Sequence, residues 1–357
     1  MGRDLSFRRA AHLGVALSVI LLVAACGPAA QPAATTAPTT AATTAPSTPP
    51  PVVQLKVAVF GSINDAGFFI AQDKGYFKAE NLEITFVPSQ NAAQGITFLG
   101  SGQVEVAGLS ATPGLFNAIA DGINVKIVAD KARIDAKHST LALVVRKQLF
   151  DSGAITSLKD LKGKKVFLSA IETTGGANFA FALKEVGLTV DDVTVQPGSP
   201  ADGFNSLKGG AVDAAVLFEP FLANAIADGT AKVLRPFGEV HPNSQDGIVA
   251  YGEKMLKDTQ LGARFMRAYV KALKDFMAGY PLDGSAGTGR AEIVQILIKN
   301  TSVKNAALYD QMQFPFFATD GSIDTVSTDR FQQFFIERKV QKKFIPASDY
   351  YVKIAAG

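Results

Sequence analysis

The sequence predicts an α/β protein of two lobes, joined by two hinge strands and completed by a helical tail. Three observations carry this. From Gln54 onward, short β-branched segments alternate with helical ones, the pattern of open, mainly parallel sheets. The alternation restarts near Leu158, and from Glu253 it gives way to helices alone. The chain has 357 residues, room for two lobes at ~100–200 residues per domain.

In the first lobe, Leu55–Phe60 reads as a strand and Ala66–Lys74 as a helix, with Gly75 as its cap. Leu82–Val87 is a strand, Ala92–Leu99 a helix and Val104–Leu109 a strand. Pro113–Ala120 is a helix with Thr112 as N-cap and Pro113 at its first position. Val125–Ala129 and Thr140–Val145 are strands. In the second set, Leu158–Leu161 is a short helix, Lys165–Ser169 a strand and Gly176–Val186 a helix ended by Gly187. Strands at Val193–Gln196, Ala211–Phe218, Lys232–Arg235 and Gly247–Tyr251 follow, with helices at Ala201–Leu207 and Pro220–Ala227. The tail carries helices at Gly262–Met277, Ala291–Asn300, Lys304–Met312 and Thr328–Arg338. The expected division is residues 54–143 with 252–357 as lobe 1 and 144–251 as lobe 2, hinged near Val144 and Gly247.

The first 53 residues are of another kind. Arg3, Arg8 and Arg9 precede an apolar run from Leu13 to Ala25. That run is too short to span ~30 Å of hydrocarbon as a helix. Residues 1–25 therefore read as a cleaved export signal. The run ends Val23-Ala-Ala-Cys26-Gly27, which resembles the bacterial lipobox, whose Cys is acylated and becomes the new N-terminus. Residues 26–53 hold no charge and seven of the seventeen prolines. Such a segment cannot offset its ordering entropy by apolar burial, so it reads as an extended tether. A lipid-anchored protein on the extracytoplasmic face of the cell membrane is expected.

Composition excludes several function classes. Net charge is +3 and no long basic block occurs, against nucleic acid as a partner. Cys26 is the only Cys, which removes disulfide frameworks and Cys-rich metal sites. His12, His138 and His241 are the only histidines and none is spaced for joint ligation. No cofactor is expected. Gly108-Leu-Ser-Ala-Thr112 is not a nucleophile elbow, since Thr stands at the final Gly position. A lipid-anchored hydrolase is the alternative of another class.

Four segments in register carry a resemblance. They are Gly67-Phe-Phe-Ile-Ala-Gln-Asp-Lys-Gly-Tyr-Phe, Leu99-Gly-Ser-Gly-Gln-Val-Glu-Val-Ala, Leu158-Lys-Asp-Leu-Lys-Gly-Lys-Lys-Val and Gly210-Ala-Val-Asp-Ala-Ala-Val-Leu-Phe-Glu-Pro. Together they resemble periplasmic binding proteins of the thiamine-pyrimidine, alkanesulfonate and nitrate superfamily. Glu105 stands where that pattern usually has Asp. The resemblance implies a type II periplasmic-binding-protein fold that delivers a small molecule to the permease of an ABC importer. Part of the same superfamily comprises enzymes that make thiamine pyrimidine and carry a Cys-rich segment, which is missing here, so a monomeric binder without catalysis is expected.

In open α/β lobes, ligands sit beyond the carboxyl ends of strands. The first-lobe loops there hold Ser62 and Asn64, then Ser89 and Gln90, then Ser110 and Thr112. In the second lobe Thr173, Thr174 and Gly175 open a helix, and Glu219 follows a buried strand. Each is also an ordinary helix-capping residue; as a set, with Phe68, they are expected to line one crevice. Phe60, Phe69, Phe218 and Phe221 add aromatic faces, and no Lys or Arg enters the first-lobe loops before Lys131 and Arg133. A flat, neutral heterocycle is the expected ligand, riboflavin ahead of a thiamine-pyrimidine precursor. A sulfonate or nitrate held by helix N-termini is the alternative.

Overall fold

The computed structural model describes residues 50–285 and 287–355. The export signal, Cys26 and most of the tether lie outside them. Ten strands form two five-stranded sheets. The first contains β1 (Val53–Val59), β2 (Leu82–Pro88), β3 (Val106–Leu109), β4 (Lys126–Ile134) and β10 (Ser244–Tyr251), in the order β2-β1-β3-β10-β4. The second contains β5 (Leu141–Arg146), β6 (Lys165–Phe167), β7 (Thr194–Gln196), β8 (Ala214–Phe218) and β9 (Ala231–Pro236), in the order β7-β6-β8-β5-β9. This is the two-lobed binding-protein architecture.

Both sheets are mixed. β1 pairs in parallel with β2 and β3, while β10 runs antiparallel between β3 and β4. In the second sheet β6 is parallel to β7 and β8, and β5 is antiparallel to β8 and β9. The strand expected at Gly247–Tyr251 therefore belongs to the first sheet, not to the second lobe. The chain crosses between sheets at 135–140 and 237–243, earlier than the expected hinge points at Val144 and Gly247. A lone apolar strand fits either sheet, and only backbone pairing assigns it.

Local chemistry explains the element ends. Helix Ala66–Asp73 stops at Gly75, whose φ of +73° suits a residue without Cβ. Helix Ala92–Gly100 starts where the Asn91 side chain accepts from the Gln94 N–H. Helix Pro113–Ala120 has Thr112 at its N-cap with no side-chain cap bond; Pro113 sets the first turn instead. Helix Phe221–Ala227 begins one residue later than expected, with Pro220 as its N-cap after a cis Glu219–Pro220 bond. The segment Ala306–Asp310 is 3-10 rather than α.

The long helix Thr259–Gly279 packs on the first sheet through Phe265, Tyr269, Leu273 and Phe276, a stripe at helical spacing and fully buried. It comes so close to helix Ala66–Asp73 that a Cβ on Gly67 would lie 2.5 Å from the Tyr269 ring. The tail then reaches the second lobe. Helix Thr325–Glu337 sets Phe331, Phe334 and Phe335 against Ala177 of helix Thr174–Glu185. Among the described residues, no helix is long and apolar enough to cross a membrane.

Candidate ligand-binding site

The carboxyl ends of β1, β2 and β3 present the loops from Phe60, Ser89 and Ser110, as in other open α/β sheets. The first loop is held by Asp65. Its Oδ2 accepts from the backbone N–H of Phe60 (2.9 Å) and Ser62 (3.1 Å). Its Oδ1 accepts from Lys131 Nζ at 2.9 Å, and both residues are fully buried. The Lys131 ammonium also stands 4.7 Å from the centre of the Phe60 ring. Gly108 is required here: a Cβ would meet Lys131 Cδ at 2.8 Å, Phe68 at 2.9 Å and Asp65 Oδ1 at 3.0 Å.

Asp246, on β10, is gripped from both lobes. Asn64 Nδ2 donates to its Oδ2 at 2.8 Å, and Thr174 Oγ1 from the second lobe lies 3.5 Å from its Oδ1. Burial pushes the Asp246 carboxyl above its ordinary range; Asn64, the Lys131 charge and Thr174 offset this only in part. The floor beneath is tied to the tail. Asp130, fully buried, accepts from Gln245 Nε2 at 2.5 Å and from the Ala318 N–H at 2.7 Å. Burial raises its carboxyl to about 6.

The expected site residues divide. Asn64, Thr174 and Asp246 meet, with Ser62 beside them on the Asp65-held loop. Thr173 caps helix Thr174–Glu185: it accepts from the Gly176 N–H at 3.1 Å and donates to the Ala170 carbonyl at 2.9 Å. Gly175 sits in that first turn, where an added Cβ would meet its neighbours only at ordinary contact distance. Ser110 and Thr112 are part-buried at the end of β3. Ser89 is turned inward and donates to the Asn91 carbonyl at 2.9 Å, so its hydroxyl serves the loop. Gln90 is exposed, and only its backbone N–H is used, by Gln94 Oε1.

Two expectations are corrected. Phe68 is fully buried, its ring 5.0 Å from that of Tyr269, and Phe69 is likewise in the core. Their neighbours on helix Thr259–Gly279 enclose them, so they offer no face to a ligand. Glu219 is 5% exposed, and both oxygens are taken: Oε2 accepts from the Ala223 N–H (3.0 Å) and Oε1 from the Gln313 N–H of the tail (2.9 Å). Burial still raises this carboxyl to about 7. It joins the lobes rather than standing free for a ligand.

Sequence reading passed over Asp65, Lys131 and Asp246. The signal available was charge inside apolar strands: Asp130-Lys131 interrupts β4, and Asp246 interrupts β10. The strand expected at Val125–Ala129 instead runs on through Asp130 and Lys131 to Ile134.

Comparison with known proteins places the chain. At 18% identity, the alkanesulfonate-binding protein SsuA from Xanthomonas axonopodis pv. citri, bound to MOPS, superposes with a TM-score of 0.66 over 85% of this chain and 99% of that one. The periplasmic nitrate-binding protein NrtA from Synechocystis PCC 6803 does so at 13% identity and a TM-score of 0.64, over 86% of this chain and 93% of that one. In sequence, 232 residues are 26% identical to the 4-amino-5-hydroxymethyl-2-methylpyrimidine phosphate synthase of Aspergillus parasiticus, 60% of this chain and 64% of the relative. The chain thus spans less than two thirds of that relative's length. The model of the family described as NMT1/THI5 like matches residues 62–281, well over half of the chain. On that match, the chain belongs to the NMT1/THI5-like family.

Proposed function

We propose that this protein is an extracytoplasmic solute-binding lipoprotein. It captures a small flat heterocycle between its lobes and hands it to an ABC importer permease. The observation that carries the ligand class is the pairing of Lys131 with Asp65 at 2.9 Å. The cation nearest the cleft floor is thereby neutralised, while Asp246 stands between the lobes with, among the described residues, no cation in hydrogen-bonding contact. A fixed anion entering there would meet a carboxylate whose nearby charge, Lys131, is already paired with Asp65. A neutral or cationic ring bearing N–H groups would be bound by acceptors. The aminopyrimidine named in the relative from Aspergillus parasiticus is of this class, and riboflavin is its larger member. With Phe68 and Phe69 in the core, Phe60, Phe218 and Phe221 remain as aromatic faces, fewer than expected, which favours the smaller ring.

The test is titration of the full chain with 4-amino-5-hydroxymethyl-2-methylpyrimidine, riboflavin, taurine and nitrate, read by melting temperature and calorimetry. The pyrimidine or riboflavin is expected to bind and raise the melting temperature, by the equivalent of ~2.7 kcal/mol at a hundredfold excess over Kd. Binding of taurine or nitrate alone overturns the ligand class. Turnover of the pyrimidine or of an ester overturns the binding-protein reading.

A further inference from the structure

Outside the crossovers and among the described residues, two side-chain hydrogen bonds tie the second lobe to the first lobe and its tail. One is the 3.5 Å contact of Thr174 with Asp246. The other is shorter: Glu219 Oε1 accepts from the backbone N–H of Gln313 at 2.9 Å. Its two partners belong to different bodies. Glu219 follows β8, and its own N–H donates to the Thr140 carbonyl just before β5, so its backbone moves with the second sheet. Gln313 is held between Met312 and Phe314, both buried in the first-lobe core.

The meeting of the lobes is what buries this carboxyl. Phe218, one residue earlier, is 37% exposed, whereas Glu219 is 5% exposed. Ala223, in the first turn of helix Phe221–Ala227, packs into the same first-lobe cluster as Met312 and Phe314. Parting the lobes about the crossovers takes Gln313 away and returns the carboxyl to water. The charged residues on the surrounding elements are engaged elsewhere. Arg146, at the far end of β5, pairs with Asp213; Asp228, after helix Phe221–Ala227, pairs with Lys208; and Asp310, before Gln313, pairs with Arg290. An ionised Glu219 therefore enters the closed interface with two backbone N–H groups and no cation, an arrangement that favours the neutral acid.

We propose that Glu219 and Gln313 form a proton-linked clasp: the lobes close with uptake of a proton on the Glu219 carboxyl and part as that proton is released. Burial in the closed arrangement lifts the carboxyl to about 7 from an ordinary 4.5, the value to which it returns once solvated. Closure is thus favoured at acid pH, and the advantage is lost as pH rises through 7. Two other titratable groups stand at the junction. Asp246 is raised by burial with the Lys131 charge near it, and His241, on the crossover near Arg330 and Asp324, is lowered by burial to about 4. The clasp concerns closure alone and holds whichever solute the cleft takes.

The test is small-angle scattering of the unliganded full chain at about pH 5 and about pH 8, on either side of the window. The natural chain is expected to have the smaller radius of gyration at the lower pH, with a closed-to-open ratio about tenfold or more above that at the higher pH. Glu219→Gln keeps an acceptor for the Gln313 N–H and cannot ionise, so it is expected to stay compact at both. The amide resonance of Gln313 in the natural chain is expected to titrate together with the radius, near 7; this reading needs no variant and serves if Glu219→Gln does not fold. A radius that does not change with pH overturns the proposal. So does a pH dependence that persists in Glu219→Gln, which would assign it to Asp246 or His241. A Gln313 resonance that titrates near the ordinary 4.5 overturns it as well.

Discussion

The Glu219 carboxylate joins two parts of the chain 94 residues apart: its Oε1 accepts from the backbone N–H of Gln313 at 2.9 Å. Glu219 directly follows the second-lobe strand β8, and Gln313 belongs to the tail that packs on the first lobe. Burial outweighs both backbone N–H groups and lifts the carboxyl from an ordinary 4.5 to about 7. The folded state therefore holds this proton more tightly than the unfolded chain. Stability from this group is complete at low pH and declines as pH rises from 4.5 to 7. Glu219→Gln resembles the protonated acid. It is expected to match the natural chain near the low end of that window and to exceed it above the window, by up to ~3 kcal/mol. Urea melts at both ends read this directly. Parallel pH–stability curves for the two chains would show that the carboxyl ionises without cost.

Lys131 and Asp65 form a pair with almost no solvent contact. Removing one partner strands the other charge. Lys131→Met is expected to cost ~3–5 kcal/mol, with part of the loss recovered in Lys131→Met/Asp65→Asn. Full recovery is not expected, since Asp65 also holds the N–H groups of Phe60 and Ser62. A double-mutant cycle from chemical denaturation measures the coupling. Strict additivity would mean that the two charges do not depend on each other.

The two crossovers are pressed together at Gly238. Its N–H donates to Ser139 Oγ at 3.0 Å, and a Cβ would fall inside the contact distance of the Asp135 carbonyl. That obstacle is backbone and cannot rotate away. Gly238→Ala is expected to destabilise the protein by ~3 kcal/mol or more and to push the two crossovers apart. Thermal denaturation and small-angle scattering check the two effects. A variant with unchanged melting temperature would show that the crossovers separate freely.

Cys26 lies outside the described residues, and its acylation rests on the lipobox resemblance alone. Cys26→Ala is expected to move the protein from the membrane to the soluble extracytoplasmic fraction and to abolish labelling with a fatty-acid analogue. Unchanged membrane fractionation would remove the lipid anchor from the proposal.

Much was legible in the sequence because its causes are local. The strand–helix alternation, Gly75 at a positive-φ position, and the stripe on Thr259–Gly279 each depend on residues within a few turns. So does the placing of Ser62 and Thr173 as N-caps, with Asn64 and Thr174 in the first turns that follow, after strands β1 and β6. Other features depend on partners far away in the chain. β10 joins β3 and β4 because backbone pairing, not composition, chooses the sheet. Phe68 is core because Tyr269, some two hundred residues later, closes over it. Asp246 comes to link the two lobes only when Asn64 and Thr174 arrive from opposite sides. Periodicity records which face of an element is apolar. What meets that face is decided by long-range contacts, whose energy no local window contains.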